Sequence, residues 1–310
     1  MPVMITDASS ATSRAVVLAL ARRGGEVRVW LDDDANPAEA DQLRRLGCKV
    51  ARGAMDDEGR LELAMEQVHT VVHLGGGPLQ EPEDVLDDAA SVLSAALGAG
   101  CRRLVWPSTV GAADARGNPY LQACLEVEEL LSEAPLETIV LRRALTYGPV
   151  TSAPADALTA LLVTGAPTEE LGARRSARHE PLFVDDLASA IVTADSMDSM
   201  DRMDPMGTRG TMQRPGREDG QRGGAVEALH MVVELVGPEV VELGRLVQVL
   251  GGPVEADPRR SRRARAARTA AAPGPSVPGH LADLLSRDLL GGPQALGRSG
   301  TPLAVGAASL

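Results

Sequence analysis

The amino-acid sequence predicts an α/β protein in which a doubly wound parallel sheet is followed by a smaller C-terminal lobe. Over the first 150 residues, short apolar runs alternate with segments of helical periodicity, which is the pattern of consecutive βαβ units. Such crossovers are right-handed almost without exception, so helices are expected on both faces of the sheet. The chain has 310 residues, of which 44% are hydrophobic, and this is enough for a sizeable core.

The elements of the first half follow one another at short intervals. Strands are predicted for the apolar runs 2–6, 27–31, 49–51, 70–74, 103–106 and 137–141. Helices are predicted for the periodic segments 13–24, 38–46, 58–67, 85–97 and 120–132. Beyond residue 150 the pattern is less regular, with helices predicted over 155–163, 184–194, 240–250 and 280–290 and an ordered apolar run over 232–236.

Composition and charge argue against several classes of partner. The net charge of −12 repels nucleic acid and anionic membranes, and an aromatic content of 2% gives little surface on which bases could stack. The one basic patch, the arginine run 259–268, either contacts nucleic acid or an acidic partner or forms a solvated helix face, and we favour the solvated face. No run approaches ~18 apolar residues, so no membrane span is predicted.

The cysteines and histidines indicate a reduced, metal-free protein. The cysteines Cys48, Cys101 and Cys124 are odd in number and lack a C-x-x-C spacing, which favours buried thiols in a cytoplasmic protein. The five histidines show no metal-ligand spacing. His73, at the end of an apolar run, is expected to hydrogen-bond locally, and His179 is expected on a surface loop.

Several segments carry a resemblance to a known superfamily. The opening VMITDASSATSRAVVLALARRG resembles the strand, glycine turn and helix that begin the atypical and extended short-chain dehydrogenases/reductases, in particular the NmrA-like and epimerase-type members. The likeness continues through GAMDD (53–57), VVHLGG (71–76), LVWPSTVGA (104–112), NPYLQACLEVEELL (118–131), LRRALTYGP (141–149), PLFVDDLASAI (181–191) and ELVGPEVVELGRLVQVLG (234–251). The order and spacing of these segments, more than any one of them, carry the resemblance.

The resemblance implies two regions. Residues 1–150 would form a Rossmann-type dinucleotide-binding core, and residues 151–310 a C-terminal substrate lobe. The lobe is interrupted over 196–224 by a tract rich in Met, Asp, Gly and Arg with a Met-Asp repeat every three residues. We interpret this tract as a disordered insertion; the alternative is a metal- or partner-binding tract.

The resemblance assigns dinucleotide contacts to one set of positions, several of which depart from the family pattern. The positions are Thr6, Asp7, Ser10, Ser13, Asp32, Leu74 and Gly75. The three glycines of the family turn, which make the tight turn and admit the pyrophosphate, fall on Asp7, Ser10 and Ser13. A carboxylate there opposes two phosphates, while the serines are explained best as helix N-caps. The acid at Asp32 favours NAD over NADP if either binds.

The same resemblance places the catalytic group on Thr109, with Ser108 as the alternative, and on Tyr120. The family lysine that lowers the tyrosine pKa falls on Cys124, and Lys49, the only lysine in the chain, is on a distant strand. The tyrosine should therefore keep a pKa near ~10. Cys124 is either a nucleophile or a buried core residue, and we favour the latter.

Three functions remain open at this stage. The leading hypothesis is a non-catalytic or weakly catalytic sensor or regulator, because the glycine turn, the adenine-contacting Asp (here Ala54) and the lysine are all missing. The rivals are an NAD-dependent oxidoreductase or epimerase acting through Tyr120 on a small carbonyl or hydroxyl substrate, and a small-molecule-binding protein that reuses the Rossmann crevice. The helices beside the tyrosine segment leave a homodimer open.

Overall fold

The computed structural model describes residues 1–8, 11–148, 173–197, 228–250 and 279–303. Its strands are β1 (Val3–Thr6), β2 (Val27–Leu31), β3 (Lys49–Arg52), β4 (Thr70–His73), β5 (Arg103–Trp106), β6 (Glu137–Arg143), β7 (Thr146–Tyr147), β8 (Arg178–His179), β9 (Leu182–Phe183), β10 (His230–Leu235) and β11 (Val241–Glu242). Its helices are α1 (Ala11–Arg23), α2 (Pro37–Arg45), α3 (Glu58–Met65), α4 (Pro82–Gly98), α5 (Pro119–Ser132), α6 (Val184–Ser196), α7 (Leu243–Leu250) and α8 (Gly279–Ser286).

Seven strands form one parallel sheet in the order β10-β6-β5-β4-β1-β2-β3. The chain runs outward from β1 through β2 to β3 and then crosses back to β4, so the strand order reverses beside β1. Right-handed crossovers then place α1 and α2 on one face and α3, α4 and α5 on the other. This confirms the doubly wound Rossmann-type sheet, and it puts the ligand crevice at the carboxyl ends of β1, β2 and β4.

The strands are apolar because both faces of the sheet are covered. All four residues of β1, β4 and β5 are buried. The large side chains Trp30 and Trp106 are fully buried, and most of the remaining core is Val, Leu and Ala. The low aromatic content therefore fits a core of thin, closely stacked layers.

Two elements from beyond residue 150 belong to this core, one as a strand of the sheet and one as a helix that packs beside it. β10 pairs with β6 from Thr138 to Arg143 and forms the edge of the sheet. α6 packs against α1. The predicted boundary at residue 150 itself stays a prediction.

Helix α5 begins where its sequence indicates. The Asn118 side chain accepts a hydrogen bond from the backbone N–H of Leu121, and Pro119 occupies the first helical position. These two signals fix Tyr120 in the first turn of the helix, directed into the core.

One residue prediction from the C-terminal half is wrong. His179 is not on a surface loop: it is fully buried in β8, and its Nε2 atom lies 3.2 Å from the Leu285 carbonyl of α8. The charged neighbours Arg178 and Glu180 suggested a solvent-exposed loop, but Glu180 is itself buried and accepts hydrogen bonds from the Gly291 backbone and from Arg298. Burial lowers the pKa of His179 to about 4.

The predicted helix 240–250 also begins later than expected. Residues Val241–Glu242 pair with β8 as β11, and the helix starts at Leu243. The predicted helix 155–163, the tract 198–224 and the arginine run 259–268 lie outside the described residues. In the described ranges, no helix is both long and apolar enough to cross a membrane.

Candidate functional site

The turn after β1 keeps the path of a glycine turn without its glycines. Asp7 has a φ of 53°, in the left-handed region that glycine adopts most readily. The hydroxyl of Ser13, the third residue of α1, donates to the Asp7 carbonyl at 2.7 Å. Ser13 is therefore not the helix N-cap that we expected; it lies inside the helix and fastens the turn to it. Ser10 lies outside the described residues.

Acidic side chains on the neighbouring helices are influenced by the charge of Asp7 in this turn. Asp88 on α4 is half-buried, and its burial, together with the nearby carboxylates of Asp84, Asp7 and Asp87, raises its pKa to about 6. Burial also raises the pKa of Glu39 on α2, and Asp7 adds to that effect. Asp7 thus acts electrostatically on acids of two helices that flank the crevice.

The carboxyl end of β2 presents three acidic residues, and the carboxyl end of β3 presents one basic residue. Asp32, Asp33 and Asp34 are all exposed after β2, and Ala54, at the adenine position of the family pattern, is exposed as well. Arg52 ends β3, and its guanidinium hydrogen-bonds to the Ala35 carbonyl.

The loop after β4 is closely fitted. Leu74 donates its backbone N–H to the Thr6 carbonyl, and the Thr6 hydroxyl lies 2.8 Å from His73 Nδ1. At Gly75 a Cβ would lie 2.5 Å from the His73 ring, so only glycine fits there. The loop thus brings Thr6, Leu74 and Gly75 to the end of β1, as the resemblance implies.

His73 is held in its neutral form beneath this loop. It is fully buried, and the burial lowers its pKa to about 4. Its Nε2 atom has no hydrogen-bond partner in the described part of the chain.

Tyr120 and Thr109 meet in a closed pocket. The Tyr120 hydroxyl lies 2.9 Å from Thr109 Oγ1 and 3.1 Å from the Gly76 carbonyl. Because a carbonyl only accepts, the phenolic proton points to Gly76 and Thr109 donates to the phenol. Tyr120 is fully buried, and burial raises its pKa well above 10, with a further rise from Cys124 and an opposing effect from Arg143.

Cys124 follows one helical turn after Tyr120. It is fully buried, and burial raises its pKa to about 12. A thiol with that pKa is protonated at neutral pH, so this geometry supports the core-residue interpretation over a nucleophile.

Ser108, the alternative to Thr109, belongs to a different hydrogen-bond network. Its hydroxyl donates to Glu128 Oε1 at 2.6 Å, and Glu128 also accepts two hydrogen bonds from Arg142 Nε and one, at 2.5 Å, from Arg142 Nη2. Ser108 is therefore committed to a buried ion pair behind the tyrosine.

Arg143 is the site residue that sequence reasoning missed. It ends β6, its backbone bridges Thr109, and its charge acts on the pKa of both Tyr120 and Cys124. Arg102 and Arg103, by contrast, bind Glu137 at the opposite, amino end of β5. Strand alternation in the pair Arg142-Arg143 was the available signal, because only one of the two could face Thr109.

Helix α8 covers the tyrosine. The His280 ring stacks on Tyr120 with 5.9 Å between the ring centroids, and His280 Nε2 lies 2.8 Å from the Pro78 carbonyl. Asn118 donates to Asp283 at 2.8 Å and to the His280 carbonyl at 3.0 Å. The first turn of α5 and the loop after β4 thus both anchor this helix.

The sheet order, the crevice beside β1 and the Thr109–Tyr120 pair together define a protein with the fold of the extended short-chain dehydrogenases/reductases. Residues 8–158, just under half of the chain, match the family described as NAD(P)H-binding.

The comparison with curated proteins finds a reductase. The chain is 29% identical over 227 residues to a 3-diazoavenalumate denitrifying reductase of a Streptomyces species, an alignment that covers 63% of this chain and 72% of the relative.

Solved structures share the fold over almost the whole chain. A UDP-glucose 4-epimerase from Thermus thermophilus in complex with NAD aligns with a TM-score of 0.60 and 18% identity, over 100% of this chain and 98% of that one. A nucleoside-diphosphate-sugar epimerase from Pseudomonas aeruginosa gives 0.61 and 13%, over 100% and 97%. An NADPH-dependent quinone oxidoreductase from Escherichia coli gives 0.55 and 18%, over 99% and 89%.

The residues at the turn fit a dinucleotide in shape but not in charge. The left-handed Asp7 preserves the path of the turn, and a helix N-terminus follows it. However, Asp7 carries a carboxylate at a position that the resemblance gives to a glycine beside the pyrophosphate, and its charge contributes to the raised pKa of Asp88 on α4. Like charges about 4 Å apart oppose each other by on the order of a few kcal/mol in a partly buried site.

Proposed function

We propose that this protein is a non-catalytic or weakly catalytic member of its fold that acts as a sensor or regulator by binding a small molecule in the Rossmann crevice. The observation that carries the proposal is the state of Tyr120. Its proton is committed to the Gly76 carbonyl, burial raises its pKa, and the position of the activating lysine holds the neutral thiol Cys124. A general acid works best with a pKa near the operating pH, and this phenol is far from that range.

The acidic turn supports the same proposal. A protein selected for dinucleotide turnover would gain nothing from a carboxylate at Asp7 with a second at Asp88 nearby. If a dinucleotide binds, we expect NAD rather than NADP because of the exposed Asp32, and we expect the binding to be weak.

The test is a calorimetric titration of NADH and NADPH into the full chain and into the triple variant Asp7→Gly/Ser10→Gly/Ser13→Gly. We expect no micromolar binding to the parent protein and a gain of NADH binding in the variant. Micromolar NADH affinity of the parent protein would contradict the proposal.

A second candidate is an NAD-dependent oxidoreductase or epimerase that acts on a small carbonyl or hydroxyl compound through Tyr120. The 29% identity to a denitrifying reductase favours it. Its test is a turnover screen with NADH in which Tyr120→Phe is compared with Tyr147→Phe, since Tyr147 is the other buried tyrosine of the chain. Activity that is lost only in Tyr120→Phe would favour the enzyme over the sensor.

A further inference from the structure

Arg143 is a buried cation without a carboxylate partner in the part of the chain that the structure describes. The residue is 7% exposed. Its side chain makes one hydrogen bond, from Nη1 to the Thr146 hydroxyl at 3.3 Å, and its Nε atom is buried with no acceptor among the described residues. A buried guanidinium normally pairs with an anion or satisfies all its donors, because an uncompensated buried charge is costly.

Arg103, the other buried arginine of the sheet, follows that rule, and so does the partly buried neighbour Arg142. Arg103 is 1% exposed and pairs with Glu137 at 2.7 Å while three backbone carbonyls at the end of α6 accept its remaining donors. Arg142, one residue before Arg143, binds Glu128 with an N–O distance of 2.5 Å. Arg143 therefore differs from Arg103 and Arg142, because none of the described residues provides it with a carboxylate partner.

The position of Arg143 places its side chain on the same face of the sheet as the Thr109–Tyr120 pair. The Arg143 backbone N–H donates to the Ser108 carbonyl and its carbonyl accepts from Val110, so Thr109 is its direct strand partner. Side chains at paired positions of neighbouring strands point to the same face of the sheet. On that face Thr109 holds the Tyr120 hydroxyl, and the influence of Arg143 on the pKa of Tyr120 is consistent with this placement.

We propose that Arg143 binds the carboxylate of a small organic acid in the crevice beside Thr109 and Tyr120. The inference rests on the proposed function of this crevice as a small-molecule site. A guanidinium stays charged in proteins and presents a planar fork that matches one carboxylate. A phosphate is less suited, because the described surroundings offer it one cation and the hydroxyls of Thr109 and Thr146 rather than a set of basic residues.

The ligand would supply the counter-ion that the described residues do not provide, so apo-protein stability and ligand binding should depend on Arg143 in opposite directions. Removing an uncompensated buried charge stabilises a fold, whereas removing a merely structural arginine would destabilise it. The sign of the change in unliganded stability when Arg143 is replaced therefore separates a ligand-binding role from a structural one.

The experiment measures thermal unfolding and calorimetric binding with sodium benzoate and sodium cinnamate as probes, at constant ionic strength. Benzamide is the uncharged control, and inorganic phosphate tests the alternative anion. We expect the carboxylates to raise the Tm of the parent protein and benzamide to have no effect. In Arg143→Gln we expect a Kd at least about tenfold weaker, as for loss of a charge-assisted hydrogen bond, and an unliganded Tm equal to or above that of the parent.

Two further variants complete the design. Arg143→Lys retains the charge and should recover part of the carboxylate affinity, and it serves if Arg143→Gln does not fold. Arg116→Gln is the matched control, since the Arg116 side chain is 93% exposed and pairs only with nearby Asp114. It should leave both the Tm and the carboxylate binding unchanged.

The inference is overturned if neither carboxylate binds the parent protein, if Arg143→Gln binds them equally well, or if phosphate alone shows the Arg143 dependence. These outcomes are independent of the NADH titration. Tight NADH binding with Arg143-dependent carboxylate binding would overturn the proposed function and leave this inference standing.

Discussion

At the scale of single residues, Asp7 combines a strained conformation with an unfavourable charge. A non-glycine residue in the left-handed region costs up to ~1 kcal/mol, and Asp tolerates it better than most. We therefore predict that Asp7→Gly leaves the free energy of unfolding unchanged or raises it by up to ~1 kcal/mol, and that it strengthens NADH binding about tenfold or more. Urea unfolding and calorimetry measure the two effects.

Asp7→Asn separates charge from shape, because Asn also tolerates the left-handed region. If charge limits binding, Asp7→Asn should improve NADH affinity nearly as much as Asp7→Gly. An improvement confined to Asp7→Gly would assign the barrier to the side-chain atoms instead.

Asp88 predicts a pH dependence of stability. Its pKa of about 6 in the fold lies above the unfolded value, so its stabilising contribution is fully present below about pH 4 and is lost as the pH rises through 6. We expect Asp88→Asn to gain roughly 2 kcal/mol over the parent at pH 8 relative to pH 4, measured by urea unfolding. Asp87→Asn, at an exposed neighbouring position, should show no such difference.

At this scale the sequence identifies which residues of the family motifs are missing, but it does not identify the other residues that shape the site. Asp7 and Cys124 are visible as departures from a pattern, and the structure keeps both at the expected positions. Arg143 could not be singled out, because only the fold decides which carboxylates reach it, and none of the described residues supplies one. The neighbouring Arg142 has the same side chain and a fully paired environment.

At the scale of elements, helix α8 controls access to the tyrosine. It is tied to α5 through the hydrogen bond from Asn118 to Asp283. We predict that Asn118→Ala loosens this contact and speeds nitration of Tyr120 by tetranitromethane several-fold, followed by mass spectrometry. Tyr147 contacts Phe183 rather than α8, so its nitration provides the internal control.

Equal acceleration at both tyrosines would indicate general destabilisation of the fold instead of release of α8. Asn118 also caps α5, and its loss is expected to cost about 1 kcal/mol. A companion variant, Asp283→Ala, removes the same contact from the side of α8 and leaves that cap intact.

The elements themselves are largely readable from the sequence. Every strand predicted in the first half is present, because fully buried parallel strands appear as continuous apolar runs. The exceptions lie where pairing partners are distant in the chain. β8 and β11 are two residues each and are fixed by their mutual pairing and by α8, which no local pattern reveals.

At the scale of the whole molecule, two buried histidines set its response to acid. His73 lies in the main sheet and His179 beside α8, and burial lowers the pKa of each to about 4. Each contributes stability that is present above the unfolded pKa of ~6.5 and is lost as the pH falls toward 4. We predict a loss of about 2 kcal/mol per histidine between pH 8 and pH 5, measured by urea unfolding.

The variants His73→Asn and His179→Gln, which keep a polar group near the original nitrogens, should each lose about half of this acid sensitivity. A parent protein whose stability does not change between pH 8 and pH 5 would contradict the prediction. Asp88 acts in the opposite direction over this range, so the comparison is made between variants at each pH.

The order of the whole sheet follows from general rules of chain connection once the strands are known. What the rules do not fix is that β10 and α6, which come after residue 150, complete the sheet and its helical layer. Their membership depends on long-range pairing, with Thr138 on β6 already hydrogen-bonded to His230 on β10.

The buried state of Cys124 has a consequence for any attempt to restore catalysis. Cys124→Lys would restore the lysine of the family motif. However, the new ammonium group would lie where the Arg143 guanidinium already influences the electrostatics of residue 124. Two cations there repel each other, so the single reversion should unfold the site rather than activate it. Recovery would need both positions to change together, and a double-mutant cycle between 124 and 143 would show strong epistasis. Under the proposed function, rebuilding the tyrosine–lysine pair would therefore take two substitutions, neither of which is favourable alone.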